Sequence, residues 1–212
     1  MDLEVFKLDL ILVPLSLCIN ACYHAYIWQS YNAKEPVTTI AITLGRRITW
    51  LQDIVKDGDG KRSMLGVQSF RNSLMSLILS ATIAITVNSS LAALANNTYN
   101  SNNLLHQHPI FGSQSESLLV LKYSCVSIFL LFSFLCSSMA VWLTIEANFL
   151  INATQEYAQD HAHKVMKKGV LLGIVGNRVL FMALPLLVWM LGPVAMALSS
   201  FALLLVFYNL DH

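Results

Sequence analysis

Four stretches of this chain carry no formal charge: Leu10 to Trp28, Leu74 to Ala95, Tyr123 to Ile145, and Val179 to Leu210. Each is long enough to span a membrane, since about 20 apolar residues cross the hydrocarbon core. Inside that core every backbone N–H and C=O must be satisfied internally, so uninterrupted apolar runs of this length are read as helices. The expectation is an all-α membrane protein with four transmembrane helices, at about 10–28, 74–95, 123–145 and 179–208, forming one domain over residues 1–212. Composition agrees. Of 212 residues 56% are hydrophobic and 12% charged, against about 25% charged in soluble domains. A soluble fold of this size has too little interior to hide so much apolar surface. The net charge of +1 points to no nucleic acid and no strongly acidic partner. The lipid bilayer is the first partner implied.

The last run exceeds one straight crossing and contains Pro185 and the pair Gly192-Pro193. Proline removes a helical hydrogen bond and kinks the chain, which favours one bent helix. A hairpin broken at Gly192-Pro193 is the competing arrangement; counted from Arg178, each arm would be short for a full crossing.

Orientation follows from the bases. Lys34, Arg46, Arg47, Lys56, Lys61, Arg62 and Arg71 lie between the first two spans, and Lys164, Lys167, Lys168 and Arg178 between the last two. Between the second and third stands only Lys122. The positive-inside rule puts the first and third connections in the cytosol, and four crossings then leave both termini on the other side. Within the first connection, Pro36 to Lys56 reads as a helix stopped by Gly58-Asp59-Gly60, with Ile40, Leu44, Ile48, Leu51 and Val55 on one side. The third span is expected to continue past Ile145 as one long helix through Lys168, because no Pro or Gly interrupts it. The acidic N-terminus and the length of the first run argue against a cleavable signal peptide. Cys18, Cys22, Cys125 and Cys136 sit inside apolar runs and are expected to be buried thiols.

The strings Met64-Leu65-Gly66-Val67-Gln68-Ser69-Phe70-Arg71-Asn72-Ser73-Leu74-Met75 and Gly169-Val170-Leu171-Leu172-Gly173-Ile174-Val175-Gly176-Asn177-Arg178 are distinctive, as are Ala183-Leu184-Pro185-Leu186-Leu187 and the closing Phe207-Tyr208-Asn209-Leu210-Asp211. From the His24 region to Asp211 the chain resembles a plant family of small membrane proteins catalogued as a domain of unknown function, five-nine-nine. The family name implies no activity. Similarity in size and span number to small plant channels implies a pentameric, calcium-permeable cation channel of the endoplasmic reticulum, with a role in plant defence; the plasma membrane is the other compartment open to such a chain. The partners implied are further copies of the chain and permeating cations such as calcium.

A cation path needs oxygen atoms to replace part of the hydration shell, often with carboxylates at the mouth. On the third span Ser133, Ser137, Thr144 and Asn148 share one helical face and are the candidate pore lining. The competing reading is that these hydroxyls bond a neighbouring helix or their own backbone. Glu146 falls on the opposite side of the wheel. It is either a pore-mouth carboxylate or the ion-pair partner of Arg71 or Arg178, which are expected to anchor the cytosolic interface. Glu156, one turn before Asp160, is a candidate vestibule residue or part of a solvated face. Should the third span not line the path, the second offers Ser73, Ser76 and Ser80. His106, His108, His161 and His163 have too few companions for a metal site, and His24 reads as a buried polar contact. No nucleophile–base pair or phosphate-cradling loop is present, so no cofactor, metal or enzymatic activity is expected. The reading is an oligomeric cation-selective channel; its alternative is a non-conducting adaptor that holds partners or anionic lipid with its basic cytosolic helices.

Overall fold

A computed structural model describes residues 2–31, 39–57, 60–100, 116–151 and 156–211. These residues form six helices: α1 (Asp2–Tyr31), α2 (Thr39–Asp57), α3 (Gly60–Asn100), α4 (Glu116–Ile151), α5 (Glu156–Val188) and α6 (Pro193–Asp211). No strand occurs among them. Five helices are long and apolar enough to cross a membrane, over Asp9–Tyr31, Met64–Asn96, Leu118–Ile151, His161–Val188 and Pro193–Asp211. At 1.5 Å per residue α6 is about 28 Å long, close to the roughly 30 Å hydrocarbon core. The 41 residues of α3 reach about 60 Å, so this helix projects well beyond the core.

The expectation of one bent final helix is corrected. The chain reverses between α5 and α6, so five apolar helices replace the four expected. The last turn of α5 tightens, with the amides of Met190, Leu191 and Gly192 donating to the carbonyls of Leu187, Val188 and Trp189. Gly192 has φ 148°, a conformation that side chains disfavour. Its carbonyl accepts from Met196 N at 3.1 Å, opening α6 directly behind it, with Pro193 in the first turn where a missing N–H costs nothing. The arms are long enough because Arg178 does not end a span. It lies within α5, and Asp211 of α6 neutralises it.

A second reversal separates α4 from α5, where continuity through Lys168 was expected. The helix stops at Ile151 and the next starts at Glu156, running antiparallel: Gly169 faces Thr144, Gly173 faces Ala140 and Gly176 faces Ser137. The apolar residues of the supposed cytosolic extension explain the reversal, since Ala162, Val165 and Met166 become buried only by turning back onto the bundle.

The C-terminal end of α6 also departs from expectation. Thr39 Oγ1 of α2 donates to the Asp211 carbonyl at 3.0 Å, so this end lies with the basic first connection. Asp9, near the start of α1, accepts from Trp189 at the opposite end. The two termini therefore sit at opposite ends of the bundle rather than the same one.

Two apolar clusters hold the helices together. One joins Val13, Leu91, Val126, Leu130, Ala183, Leu186, Trp189 and Met196 at the α5–α6 turn. The other joins Leu44, Phe70, Ala147, Val165, Met166 and Val170 at the α2 end. In the latter, α2 lays its expected apolar side against α3 and α5: Leu44 is buried and Ile48 packs alongside, while the side chains of Leu51 and Val55 fall outside the described residues. Of the four cysteines only Cys136 is buried, while Cys18 and Cys22 are exposed on α1, a correction that follows from α1 being covered on one side alone.

Candidate functional site

The hydroxyl stripe of α4 lies inside the chain's own helix bundle. Ser133, Ser137 and Thr144 are each at most 2% exposed. Ser133 Oγ donates to the Gly176 carbonyl at 2.7 Å, and Thr144 Oγ1 donates to the Ala140 carbonyl at 2.7 Å. Ser137 Oγ has no hydrogen-bond partner. Gly169 and Gly176 of α5 make this contact so close: a Cβ at position 176 would stand 2.9 Å from Ser137 Oγ and 3.1 Å from Cys136 Cβ, whereas at Gly173 the tight neighbour is Leu77 of α3. Small residues that let two membrane helices approach this way are a packing device. Periodicity gave the stripe its shared face, but only α5 determined that the face is covered. Asn148, one turn beyond Thr144, is half-buried.

The carboxylates and anchors separate. Glu146 is exposed, on the side away from the stripe as the helical wheel requires. Arg178 pairs with Asp211, not with Glu146, and Arg71 is exposed on α3. The side chain of Glu156, like those of Gln155 and Asp160, falls outside the described residues.

A polar seam that sequence reasoning did not assemble runs between α1, α5 and α6. At one end Trp189 Nε1 donates to Asp9 Oδ1 at 2.8 Å, and the ammonium of Lys122, 1% exposed, lies 5.4 Å from the Trp189 ring centre. Midway, Asn20 Nδ2 donates to Ser200 Oγ at 2.6 Å and to the Ser16 carbonyl at 2.9 Å. At the other end Tyr23 donates to Asp211 Oδ2 at 2.6 Å, the Arg178 guanidinium binds Asp211 Oδ1, and that guanidinium stacks 5.1 Å from the Phe207 ring centre. His24 lies edge-on to Tyr23 and Phe207. Asn20 Oδ1, His24 Nε2 and Arg178 Nη1 are buried without partners. Ionisable groups at membrane depth are costly and are kept where they pair or serve function. The one sequence signal was the charge at Arg178 and Asp211 bracketing an uncharged run; which residues they met depended on the hairpin.

The outward face of α3 is the third arrangement. Its buried residues Phe70, Ala81, Ala84 and Leu91 mark one side. At 100° per residue, Ser76, Thr82, Thr86, Ser89 and Ser90 fall on the other, and all five are exposed. Thr82 Oγ1 donates to the Ile78 carbonyl at 2.8 Å and Ser89 Oγ to the Ile85 carbonyl at 2.9 Å. With its proton turned inward, such a hydroxyl keeps its oxygen lone pairs facing out. Of the alternative set on this span, Ser76 faces outward, while Ser73 and Ser80 are half-buried, Ser80 donating to Asn177 Oδ1 at 3.2 Å.

Among the described residues no group of three or more His, Cys, Asp and Glu side chains comes together to hold a metal ion. No curated protein and no solved structure matches the chain. A family model described as "Protein of unknown function, DUF599" matches residues 11–212, which include the Arg71-Asn72 and Gly176-Asn177-Arg178 strings and both partners of the Arg178–Asp211 pair. The chain belongs to the DUF599 family.

Proposed function

We propose that the protein is a cation-selective, calcium-permeable channel formed by several copies of this chain, with the outward face of α3 lining a shared path. The observation that supports this reading is the row of exposed hydroxyls from Ser76 to Ser90. The row covers about 21 Å of helix, most of the thickness of a hydrocarbon core. Against lipid these hydroxyls gain nothing. Around an axis shared by several copies, they present rings of oxygen to a permeating cation. Leu79 and Ile83 are exposed on the same face between Ser76 and Thr86 and form the apolar constriction at which such a path closes by dewetting. A pentamer, a location in the endoplasmic reticulum and a part in plant defence extend the same reading by family resemblance. Asp9, Lys122, Arg178 and Asp211 are the ionisable groups that fix α1 and α6 around this scaffold.

The test is single-channel recording of the purified oligomer in planar bilayers. Thr86→Leu and Ser90→Leu should lower unitary conductance severalfold in protein of unchanged oligomeric state. Thr144→Leu should change folding or assembly rather than conductance per channel, because Thr144 lies between α4 and α5. A strict monomer in mild detergent, or normal conductance in both α3 variants, would refute the reading.

A further inference from the structure

At the end of the bundle that carries α2, two helix faces meet in a groove of about 530 Å³. Thr43, Arg46, Arg47 and Trp50 line it from α2 and Ser69, Asn72 and Ser73 from α3, over a floor of Phe70 and Met166. Both sets recur at helical spacing, so each presents one continuous face. Among the described residues every polar side chain in the lining carries an N–H or O–H donor; two are guanidinium groups, and none is acidic. Asp53 lies one turn beyond Trp50 and is not part of the lining. Guanidinium forks match phosphate oxygens in pairs, and hydroxyl and amide donors complete the remaining acceptor positions.

The depth of the groove selects the source of the phosphate. The apolar stretch of α3 opens at Met64, so Ser69 to Ser73 stand in its first turns, where headgroups meet hydrocarbon. Trp50 and Ile42 of α2 are 39% and 38% exposed beside the bases, the pairing of an indole with cations that marks a membrane interface. The charge argument assigns this end to the cytosolic leaflet, which carries the anionic lipids.

We propose that this groove binds the headgroup of a phosphomonoester-bearing lipid, with Arg46 and Arg47 on the phosphate and Ser69, Asn72 and Ser73 on its remaining oxygens. Occupancy bridges α2 to α3, the helix assigned above to the conducting path, and so ties the disposition of that helix to lipid composition. Headgroup binding itself does not depend on whether the chain conducts.

The experiment uses the full-length protein, delipidated in mild detergent and titrated with short-chain phosphatidylinositol monophosphate, with binding counted by native mass spectrometry. Saturable binding is expected, and the Arg46→Gln/Arg47→Gln variant should bind about 30-fold more weakly, taking roughly 1 kcal/mol for each base near a headgroup. Removing two exposed charges elsewhere on the same end, in Lys167→Gln/Lys168→Gln, should leave binding within about threefold. Ser69→Ala/Ser73→Ala, which keeps both arginines, should weaken binding about threefold to tenfold and serves as a second variant should the arginine pair prove necessary for folding. Equal losses in the arginine and lysine variants would reduce the effect to diffuse surface charge and overturn the site. Equal binding of short-chain phosphatidylcholine, or of inorganic phosphate and soluble inositol phosphate without an acyl chain, would overturn it as a lipid site.

Discussion

Substituting Gly176 by alanine tests the α4–α5 contact at its tightest point. The new Cβ would stand 2.9 Å from Ser137 Oγ, 3.1 Å from Cys136 Cβ and 3.2 Å from Ser137 N. The Ser137 hydroxyl can rotate away, but the backbone nitrogen and the Cβ of Cys136 move only with the helix. Forcing one extra carbon into such a contact costs about 1–3 kcal/mol. Separating the helices also strains the Ser133 bond to the Gly176 carbonyl, worth about 1 kcal/mol. Alanine returns about 1 kcal/mol through its better helix propensity, leaving a net loss of about 1–3 kcal/mol. For a chain of this length that lowers Tm by about 2–12 °C. Gly45 supplies the internal comparison: it lies within α2, and a Cβ there meets nothing within 4 Å. Gly45→Ala should therefore raise Tm by about 1–4 °C through propensity alone. Thermal unfolding of the two variants in the same detergent, followed by circular dichroism, measures both. Equal midpoints for Gly176→Ala and Gly45→Ala would refute the close approach of α4 to α5.

Asp211→Asn leaves the half-buried Arg178 without its counter-charge, which should cost up to about 3 kcal/mol in the same unfolding measurement; Arg178→Met/Asp211→Leu should recover most of that loss, and failure to recover would show that the pair does more than neutralise itself. With each of the five apolar helices crossing once, a C-terminal epitope tag should lie in the cytosol and an N-terminal one across the membrane, and protease protection in sealed microsomes should find them on opposite sides. In the same membranes glycan should form at Asn96, in the sequon Asn96-Asn97-Thr98, and never at Asn152 of Asn152-Ala153-Thr154; modification of Asn152 would overturn the orientation. Replacing Arg178 by Gln should weaken assembly, read by size-exclusion chromatography, more than it shifts ion preference.

Apolar run length and hydrogen-bond accounting were local properties, so the sequence alone determined that the chain is helical and built for a bilayer. Charge distribution along the chain likewise identified the basic end. The side of α2 that packs inward was legible too, because Ile40, Leu44 and Ile48 repeat at a helical period and Gly58-Asp59-Gly60 marks the stop. The Gly192-Pro193 signal was present but ambiguous: a glycine before a proline suits either a kink or a reversal. What resolved it was the meeting of Arg178 with Asp211 across 33 positions, an ion pair that lets a charged residue sit inside a span. Tertiary structure alone decided what each face meets. Ser133, Ser137 and Thr144 share a side of α4 by periodicity, but α5 covers that side closely at Gly169 and Gly176, while the hydroxyls of α3 stay open because no other described helix of the chain lies over them. The seam from Asp9 to Asp211 has the same origin. Its partners stand up to 188 positions apart, and no local pattern relates residues that only the folding of α6 back along α1 brings together.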